Sequence, residues 1–311
     1  MNGIAAPIVA AETAQPQDFL ARRRTVSIVM VVYMTGAALG ESLACALKDD
    51  QVDEVVIVDN GSTVEDSLYL RQLAERDGRV VLLTGHGNVG FAKAANLGAR
   101  TAKGDVLVFL NPDAFLQPDC IAELVREIEH RPSPCVVGGR VLNADLTEQR
   151  GARRGDITPV SALLSLSGLA RRVPAWRRYE VHWEDESLPE GASEAPTISG
   201  ACFCMRREDF EAVQGFDEKY FLHVEDVDLC WRVRKEGGLV LFHPRAEVIH
   251  LGHTSLVSPL RVEFHKGVGL ARYFRKRARG AGRLAAWLLS PLVVGAAVVR
   301  PVMWRFRGRA G

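Results

Sequence analysis

From Thr25 onward, short apolar runs alternate with longer amphipathic stretches, the rhythm of successive βαβ units. The first strand is predicted over 26–33, followed by a helix over 39–48, a strand over 54–59, a helix over 65–76 and a strand over 80–83. A helix over 91–102 should stop at Lys103-Gly104, where a basic last turn meets a glycine C-cap. The fourth strand spans 105–110, and Pro118 sits where the first turn of the next helix tolerates proline. Val55-Val56-Ile57-Val58 and Val106-Leu107-Val108-Phe109-Leu110 are apolar without alternation, the mark of parallel strands buried on both faces of a doubly wound α/β sheet.

Residues 145–195 break this rhythm with Arg, Glu, Ser, Gly and Pro, and Trp176 and Trp183 among them. They read as a long excursion over the active edge, the kind of segment that carries specificity or moves. Order resumes with a strand over 197–205 and a helix over 207–213 closed by Gly215. Near the end, 284–299 is a run of sixteen apolar residues interrupted by Ser290-Pro291 and Gly295 and flanked by basic clusters. It falls short of the roughly 20 residues of a comfortable membrane span, so an interfacial or re-entrant anchor is expected, with Trp287 and Trp304 at the headgroup boundary. A helix packed on the domain is the plainer alternative. So much unbroken apolar surface argues against a nucleic-acid-binding tail.

Charge sharpens this division. The 311 residues sum to +1, yet the last 48 hold eleven Lys or Arg and no acid, which leaves the preceding 263 with 28 basic and 38 acidic side chains. An acidic body with a basic apolar tail suits an anionic membrane surface. The six cysteines lack the CxxC spacing of a zinc site and read as reduced core thiols of a cytosolic protein. The Ala-rich start places its arginines (Arg22, Arg23, Arg24) after the apolar stretch, the reverse of a secretory signal, so 1–24 is expected to be a disordered leader.

Candidate chemistry concentrates in three acidic motifs. Asp59-Asn60-Gly61-Ser62 and Asn111-Pro112-Asp113 each follow an apolar strand, and ligands of open α/β sheets bind at such carboxyl ends. Asp59 could accept hydrogen bonds from a base or ribose, and equally could cap the helix near Glu65. Asp113 suits a divalent ion shared with a diphosphate, which needs only one or two protein carboxylates. In Glu225-Asp226-Val227-Asp228, acids lead a helix that closes in basic residues, as the helix dipole favours. Three acids within four residues beside His223 exceed what capping requires, and one could be a general base. His250 ends a later apolar strand.

Asp59-Asn-Gly-Ser, Asn88-Val-Gly-Phe-Ala-Lys-Ala-Ala-Asn96-Leu-Gly98, Asn111-Pro-Asp113, Ser199-Gly-Ala201, Gly215-Phe-Asp-Glu, Glu225-Asp-Val-Asp-Leu and His250 occur in this order. The ordered set, over 25–273, resembles glycosyltransferase family 2, and most closely its bacterial rhamnosyltransferase-like branch. The resemblance implies a GT-A fold: a Rossmann-like, mostly parallel central sheet flanked by helices over 25–260, with 261–311 a basic, apolar membrane-associating segment. It implies inverting transfer of a sugar from a nucleoside diphosphate, dTDP-rhamnose in this branch, to a hydroxyl of a cell-envelope glycan. Asp226 then matches the catalytic base, with Glu225 beside it. Tyr33, Asp59, Asn60, Asn88, Lys93, Asn96, Asn111 and Asp113 fall on the donor side, although Lys93 also reads as a solvated lysine. Ser199, Gly200 and Ala201 fall on the acceptor side. Asp113 and His250 would hold Mg²⁺ or Mn²⁺. The sequence departs from the branch at Met34, where asparagine is common, and at His253, where glycine is. The partners implied are a nucleotide sugar, a glycan or polyprenyl-diphosphate-linked acceptor and the anionic membrane, with the protein peripheral or shallowly anchored on the cytoplasmic face of the inner membrane and no nucleic acid involved.

Other classes fit less well. A nucleotidyltransferase would place a Gly- and Arg-rich phosphate loop after the first strand, and an NAD-dependent oxidoreductase would need Gly-x-Gly-x-x-Gly there; Tyr33-Met-Thr-Gly-Ala-Ala-Leu is neither. A non-catalytic membrane scaffold derived from a transferase would be signalled by loss of Asp113 or Asp226, and both are present.

Overall fold

The computed structural model describes residues 23–252, 254 and 257–307. Residues 1–22 of the leader expected over 1–24, His253, Arg309 and the side chain of Trp304 lie outside the described residues, whereas Arg23 pairs with Asp53 of the domain. The chain begins β1 (Val26–Val32), α1 (Ala38–Lys48), β2 (Glu54–Asp59), α2 (Val64–Arg76), β3 (Val80–Leu83), α3 (Phe91–Thr101), β4 (Val106–Leu110), β5 (Ala114–Leu116), α4 (Cys120–Glu129) and β6 (Cys135–Leu142). The excursion follows, with β7 (Arg153–Arg154), α5 (Pro159–Leu166), α6 (Leu169–Arg172), a 3-10 turn over Pro174–Tyr179 and β8 (Ser193–Glu194). Then come β9 (Thr197–Ile198), β10 (Cys202–Arg206), α7 (Arg207–Ala212), α8 (Glu225–Lys235), β11 (Leu239–His250), α9 (Pro259–Arg277) and α10 (Ala281–Arg307).

Nine strands form the central sheet in the order β3-β2-β1-β4-β10-β6-β11-β5, with β8 added beside β11. The four strands read most clearly in the sequence are mutually parallel, and β1 lies between β2 and β4. The chain therefore reverses its direction of travel across the sheet at β1, the switch point where open α/β sheets leave a crevice at their carboxyl ends. β10 then enters antiparallel to both β4 and β6, and β6 pairs parallel with β11.

Alternation along β1 sends Ile28, Met30 and Val32 to one face and Val29 and Val31 to the other, and each face carries its own core. The first core packs under α1 and α4 around Leu39, Leu43, Ile121 and Leu124. The second is aromatic, with Phe109 stacked on Phe203 at 4.9 Å and edge-on to Phe216 at 5.2 Å. It also receives α3, where a Cβ on Gly98 would come within 2.6 Å of Val29 Cγ1, so glycine lets the helix lie directly on the sheet.

Three expectations need correction. The strand expected over 197–205 is two strands, because β9 pairs with β7 in a separate small sheet while β10 joins the main one, and Ser199-Gly200-Ala201 turns between them. The glycine C-cap expected at Gly104 is not formed, since α3 ends at Ala102 in extended backbone; and α10 runs without a break through Ser290-Pro291. Proline removes one helical hydrogen bond there, but close packing by α9 holds the helix. A Cβ on Gly267 would meet Ala297 Cβ at 2.9 Å, and Arg275 donates to Ser290 Oγ at 2.8 Å.

The basic tail also divides. In α9, Tyr273 and Phe274 are buried in the second core, while Arg272 and Lys276 pair with Asp217 and Arg277 with Asp156. Much of the charge counted in the tail is thus spent on the acidic body.

Phe109 sits at the centre of the aromatic core and is 1% exposed. Phe109→Ala is expected to destabilise the fold by roughly 3–5 kcal/mol, read as a lower urea midpoint with unchanged slope.

Candidate active site

The loops after β1, β2 and β4 and the start of α8 gather at the carboxyl edge of the sheet. After β2, Asp59 Oδ1 accepts from the backbone of Gly61 (3.1 Å) and Ser62 (2.8 Å), and its Oδ2 accepts from Ser67 Oγ at 2.9 Å. Burial opposes the charge, yet the hydrogen bonds from Ser62, Ser67 and Gly61 hold this carboxyl below its ordinary range. Thr63, not Asp59, caps α2 by accepting from Asp66 N–H. Asp59 therefore braces the loop that presents Asn60. Asn60 Nδ2 donates to Asn88 Oδ1 at 3.1 Å and its Oδ1 accepts from Val89 N–H, which joins the loops after β2 and β3. Tyr33 lies against the same turn, within 3.3 Å of where a Cβ on Gly61 would stand.

A second group forms where β4 and β11 end. Asp113 Oδ1 is 3.2 Å from His250 Nε2, and its Oδ2 accepts from Thr254 Oγ1 at 2.9 Å. Burial raises the proton affinity of Asp113, but the His250 ring and the Thr254 hydroxyl together hold the carboxyl below its ordinary value. Gln149 donates through Nε2 to Asn143 Oδ1 and to His250 O, which leaves its Oε1 to accept from His250 Nδ1 at 2.7 Å. His250 acts on Asp113 as a donor at Nε2; with Nδ1–H held by Gln149, a cation that displaced the Nε2 proton would find a lone pair there beside Asp113 Oδ1, with Asn111 Nδ2 at 3.2 Å. Two electron-rich atoms so placed fit a divalent cation whose remaining ligands come from a diphosphate. The described residues contain no cluster of three or more His, Cys, Asp or Glu able to cage a metal by themselves.

The third group is Glu225 and Asp226 at the start of α8. His223 and Val224 before them both adopt positive φ, 65° and 74°, a strained conformation for non-glycine residues. Gly269 of α9 permits it, since a Cβ there would crowd His223 O and Val224 Cγ2 at 3.0 Å. The tight turn aims two neighbouring carboxyls into one site. Asp226 Oδ2 accepts from Arg154 Nη2 at 2.5 Å and from Gly200 N–H at 3.2 Å, and Oδ1 accepts from Val227 N–H. Burial works against its charge, but Arg154 outweighs burial and keeps the carboxyl below its ordinary value. Glu225 is buried with Oε2 unpartnered, and burial together with the adjacent Asp226 charge pushes its carboxyl up to about 8. The two neighbouring carboxyls are thus pushed in opposite directions, the split that separates roles in carboxylate pairs.

Not every expected residue reaches this edge. Asn96 is a correction: its amide is consumed by Phe216 O, Phe216 N–H and Glu218 Oε1, because α3 must clasp the loop after α7. Lys93 lies on the exposed side of α3. Ser199, Gly200 and Ala201 do reach it, with Gly200 beside Asp226 and Ala201 O accepting from Asn111 N–H. The sequence reading missed Arg154 and Gln149. Both lie in the 145–195 excursion, and the paired Arg153-Arg154 was the only local signal.

The family model for glycosyl transferase family 2 matches residues 27–214, and a second, for the N-terminal domain of galactosyltransferase, matches 186–254. The chain belongs to glycosyl transferase family 2. It is 30% identical over 237 residues to an N-acetylglucosaminyl-diphospho-decaprenol L-rhamnosyltransferase of Mycobacterium tuberculosis, covering 72% of this chain and 75% of that one. It is 25% identical over 220 residues to rhamnosyltransferase WbbL of Escherichia coli, covering 66% and 75%. Among solved structures, the transferase is similar to a mannosyltransferase of Pyrobaculum calidifontis in complex with GDP-Man and Mn²⁺ (TM-score 0.57, 18% identity, 90% and 74% of the two chains). It is also similar to GalNAc-T7 with UDP, GalNAc and Mn²⁺ (TM-score 0.58, 18% identity), covering 81% of this chain and 48% of that one. The GT-A fold and a nucleotide-sugar glycosyltransferase activity follow.

Glu225 provides a test of these electrostatics. A carboxyl raised from its ordinary value to about 8 in the fold leaves stability untouched below the ordinary value and erodes it as pH climbs toward 8. Wild type is expected to lose on the order of a few kcal/mol more than Glu225→Gln between pH 5 and pH 8. Parallel urea titrations at the two pH values measure this difference; equal losses contradict it.

Proposed function

We propose that the transferase moves rhamnose from dTDP-rhamnose, with inversion, to a hydroxyl of a polyprenyl-diphosphate-linked cell-envelope glycan at the cytoplasmic face of the inner membrane. The observation that carries this reading is the 30% identity along 237 residues with a rhamnosyltransferase whose name specifies a decaprenyl-diphosphate substrate. The α9–α10 hairpin supports it. Ala281–Val299 is long and apolar enough to cross a membrane, and Leu284, Trp287, Leu288 and Leu292 are each about two-thirds exposed. Phe264 and Val268 extend this apolar surface onto α9.

In this reading Tyr33, Asn60 and Asn88 line the nucleoside side, with Asp59 holding their loop in shape. Asp113 and His250 would hold Mg²⁺ or Mn²⁺, whose charge would offset that of the departing diphosphate. Asp226 accepts the proton of the acceptor hydroxyl as that oxygen attacks the anomeric carbon. Gly200 N–H fixes the carboxylate, and the neutral Glu225 adds no competing charge.

Calorimetry with TDP, UDP and GDP, with Mn²⁺ and then with chelator, is expected to show metal-dependent binding of TDP that Asp113→Ala loses. Preference for UDP or GDP would overturn the dTDP assignment, and absence of all binding would favour a non-catalytic scaffold. Asp226→Asn is expected to bind TDP as wild type does and to lower transfer by about 10²–10⁴. Unchanged turnover would remove Asp226 from the base role. A chain ending at Ala278 retains the buried part of α9, so it is expected to fold yet fail to co-sediment with vesicles containing phosphatidylglycerol; co-sedimentation equal to the intact chain would contradict anchoring by α10.

A further inference from the structure

Two carboxyls on consecutive residues, both withdrawn from water, cannot ionise together at low cost, so something must decide which keeps the charge. Asp226 and Glu225 are such a pair, and their surroundings are unequal. The direct cationic contact among the described groups goes to Asp226, from Arg154 Nη2 at 2.5 Å with both side chains about one-sixth exposed, and the His223 charge favours the same carboxylate. Glu225 Oε2 has no partner and is buried. His223 lies before the pair, Cys230 sits one turn along α8, and His182 pairs with Arg154 across a β-bridge. Of the described groups that face the pair, only Arg154 combines a permanent charge with a direct hydrogen bond.

Arg154 is also held independently of the carboxyls. Its backbone is fixed in β7 opposite Thr197, and Nη2 donates to Ile198 O at 2.9 Å. The guanidinium is thus positioned by the small β7–β9 sheet before any substrate arrives. Arg154 and Gly200 both take Asp226 Oδ2, whereas Oδ1 accepts only the neighbouring Val227 N–H and keeps a lone pair that no described group uses.

We propose that Arg154 is the positioning residue that assigns the negative charge to Asp226 and a proton to Glu225, and that anchoring Oδ2 leaves Oδ1 as the atom that takes the acceptor proton. This rests on the reading of Asp226 as the base. In the transfer step the acceptor O–H proton passes to Asp226 Oδ1, and the acceptor oxygen bonds to the anomeric carbon. The bond from that carbon to the diphosphate oxygen breaks, and its electron pair leaves with the diphosphate. Arg154 stays charged throughout and acts through Asp226.

The test is a ¹³C NMR titration of the full chain labelled at Asp and Glu side-chain carboxyls, with Asp226→Asn and Glu225→Gln assigning the two resonances. In wild type, Asp226 is expected to titrate below the ordinary carboxylate range and Glu225 above it. Arg154→Gln is expected to raise the Asp226 midpoint by about 1–3 pH units, whereas Arg154→Lys, which keeps the charge, moves it less. A reversed order of the two acids in wild type overturns the proposal without needing any Arg154 variant to fold. An unchanged Asp226 midpoint in folded Arg154→Gln overturns it too. If the midpoints behave as expected while Asp226→Asn still transfers rhamnose from dTDP-rhamnose, the charge assignment stands and the base role falls.

Discussion

An anion withdrawn from water must find donors or a cation, or else give up its charge, and the carboxyl edge of this sheet meets that constraint four ways. Asp59 is held by backbone N–H groups and a serine hydroxyl, Asp113 by an imidazole and a threonine, and Asp226 by a guanidinium. Glu225 has only its own backbone N–H, its Oε2 is left unpartnered, and burial beside Asp226 drives it toward its protonated form instead. The same four acids, placed on the surface, would be chemically equivalent. Burial makes them different, and in the function proposed above the differences match the separate tasks of shaping a nucleotide loop, meeting a metal diphosphate and accepting a proton.

Those compensating groups come from parts of the chain far apart in sequence. Arg154 and Gln149 lie in the excursion, Gly200 in the turn where the chain passes from the small sheet to the main one, and Thr254 beyond β11. The excursion is therefore part of the wall of the site, although its composition resembles that of a loop. α9 stands behind the catalytic turn in the same way. Gly269 makes room for the strained Val224, His265 stacks on Phe221, and Phe221 in turn covers Gly90 at the start of α3 and accepts from Phe91 N–H. A continuous set of contacts thus joins the helix that carries the apolar hairpin to the loops after β3 and before α8.

The hairpin shows how net charge can mislead. The concentration of Lys and Arg near the chain's end suggests a surface aimed wholly at anionic lipid. Arg272, Lys276 and Arg277 instead neutralise Asp217, Asp228 and Asp156, and Arg275 lies over the Trp287 ring at 4.5 Å. Among the described residues of α10, Leu284, Trp287, Leu288 and Leu292 leave an apolar face exposed.

The sequence by itself determined the parallel half of the sheet, because strands buried on both faces are written as unbroken Val, Ile and Leu, and α8 carries its stop in charge order and in Gly237, which has φ 80°. It also singled out Asp59 and Asp113 as acids after apolar strands, Glu225 and Asp226 as part of three acids within four residues, and His250 at the end of a later apolar strand. Only the tertiary structure decided the antiparallel entry of β10, the continuity of α10 through Pro291, and the diversion of Asn96 into a clasp on the loop at Phe216. It alone separated Glu225 from Asp226, adjacent acids that local sequence leaves equivalent. That separation depends on Arg154, 72 residues away. Local patterns record what a residue prefers over a few neighbours; the charge of a buried group depends on whatever the fold brings within a few ångströms of it.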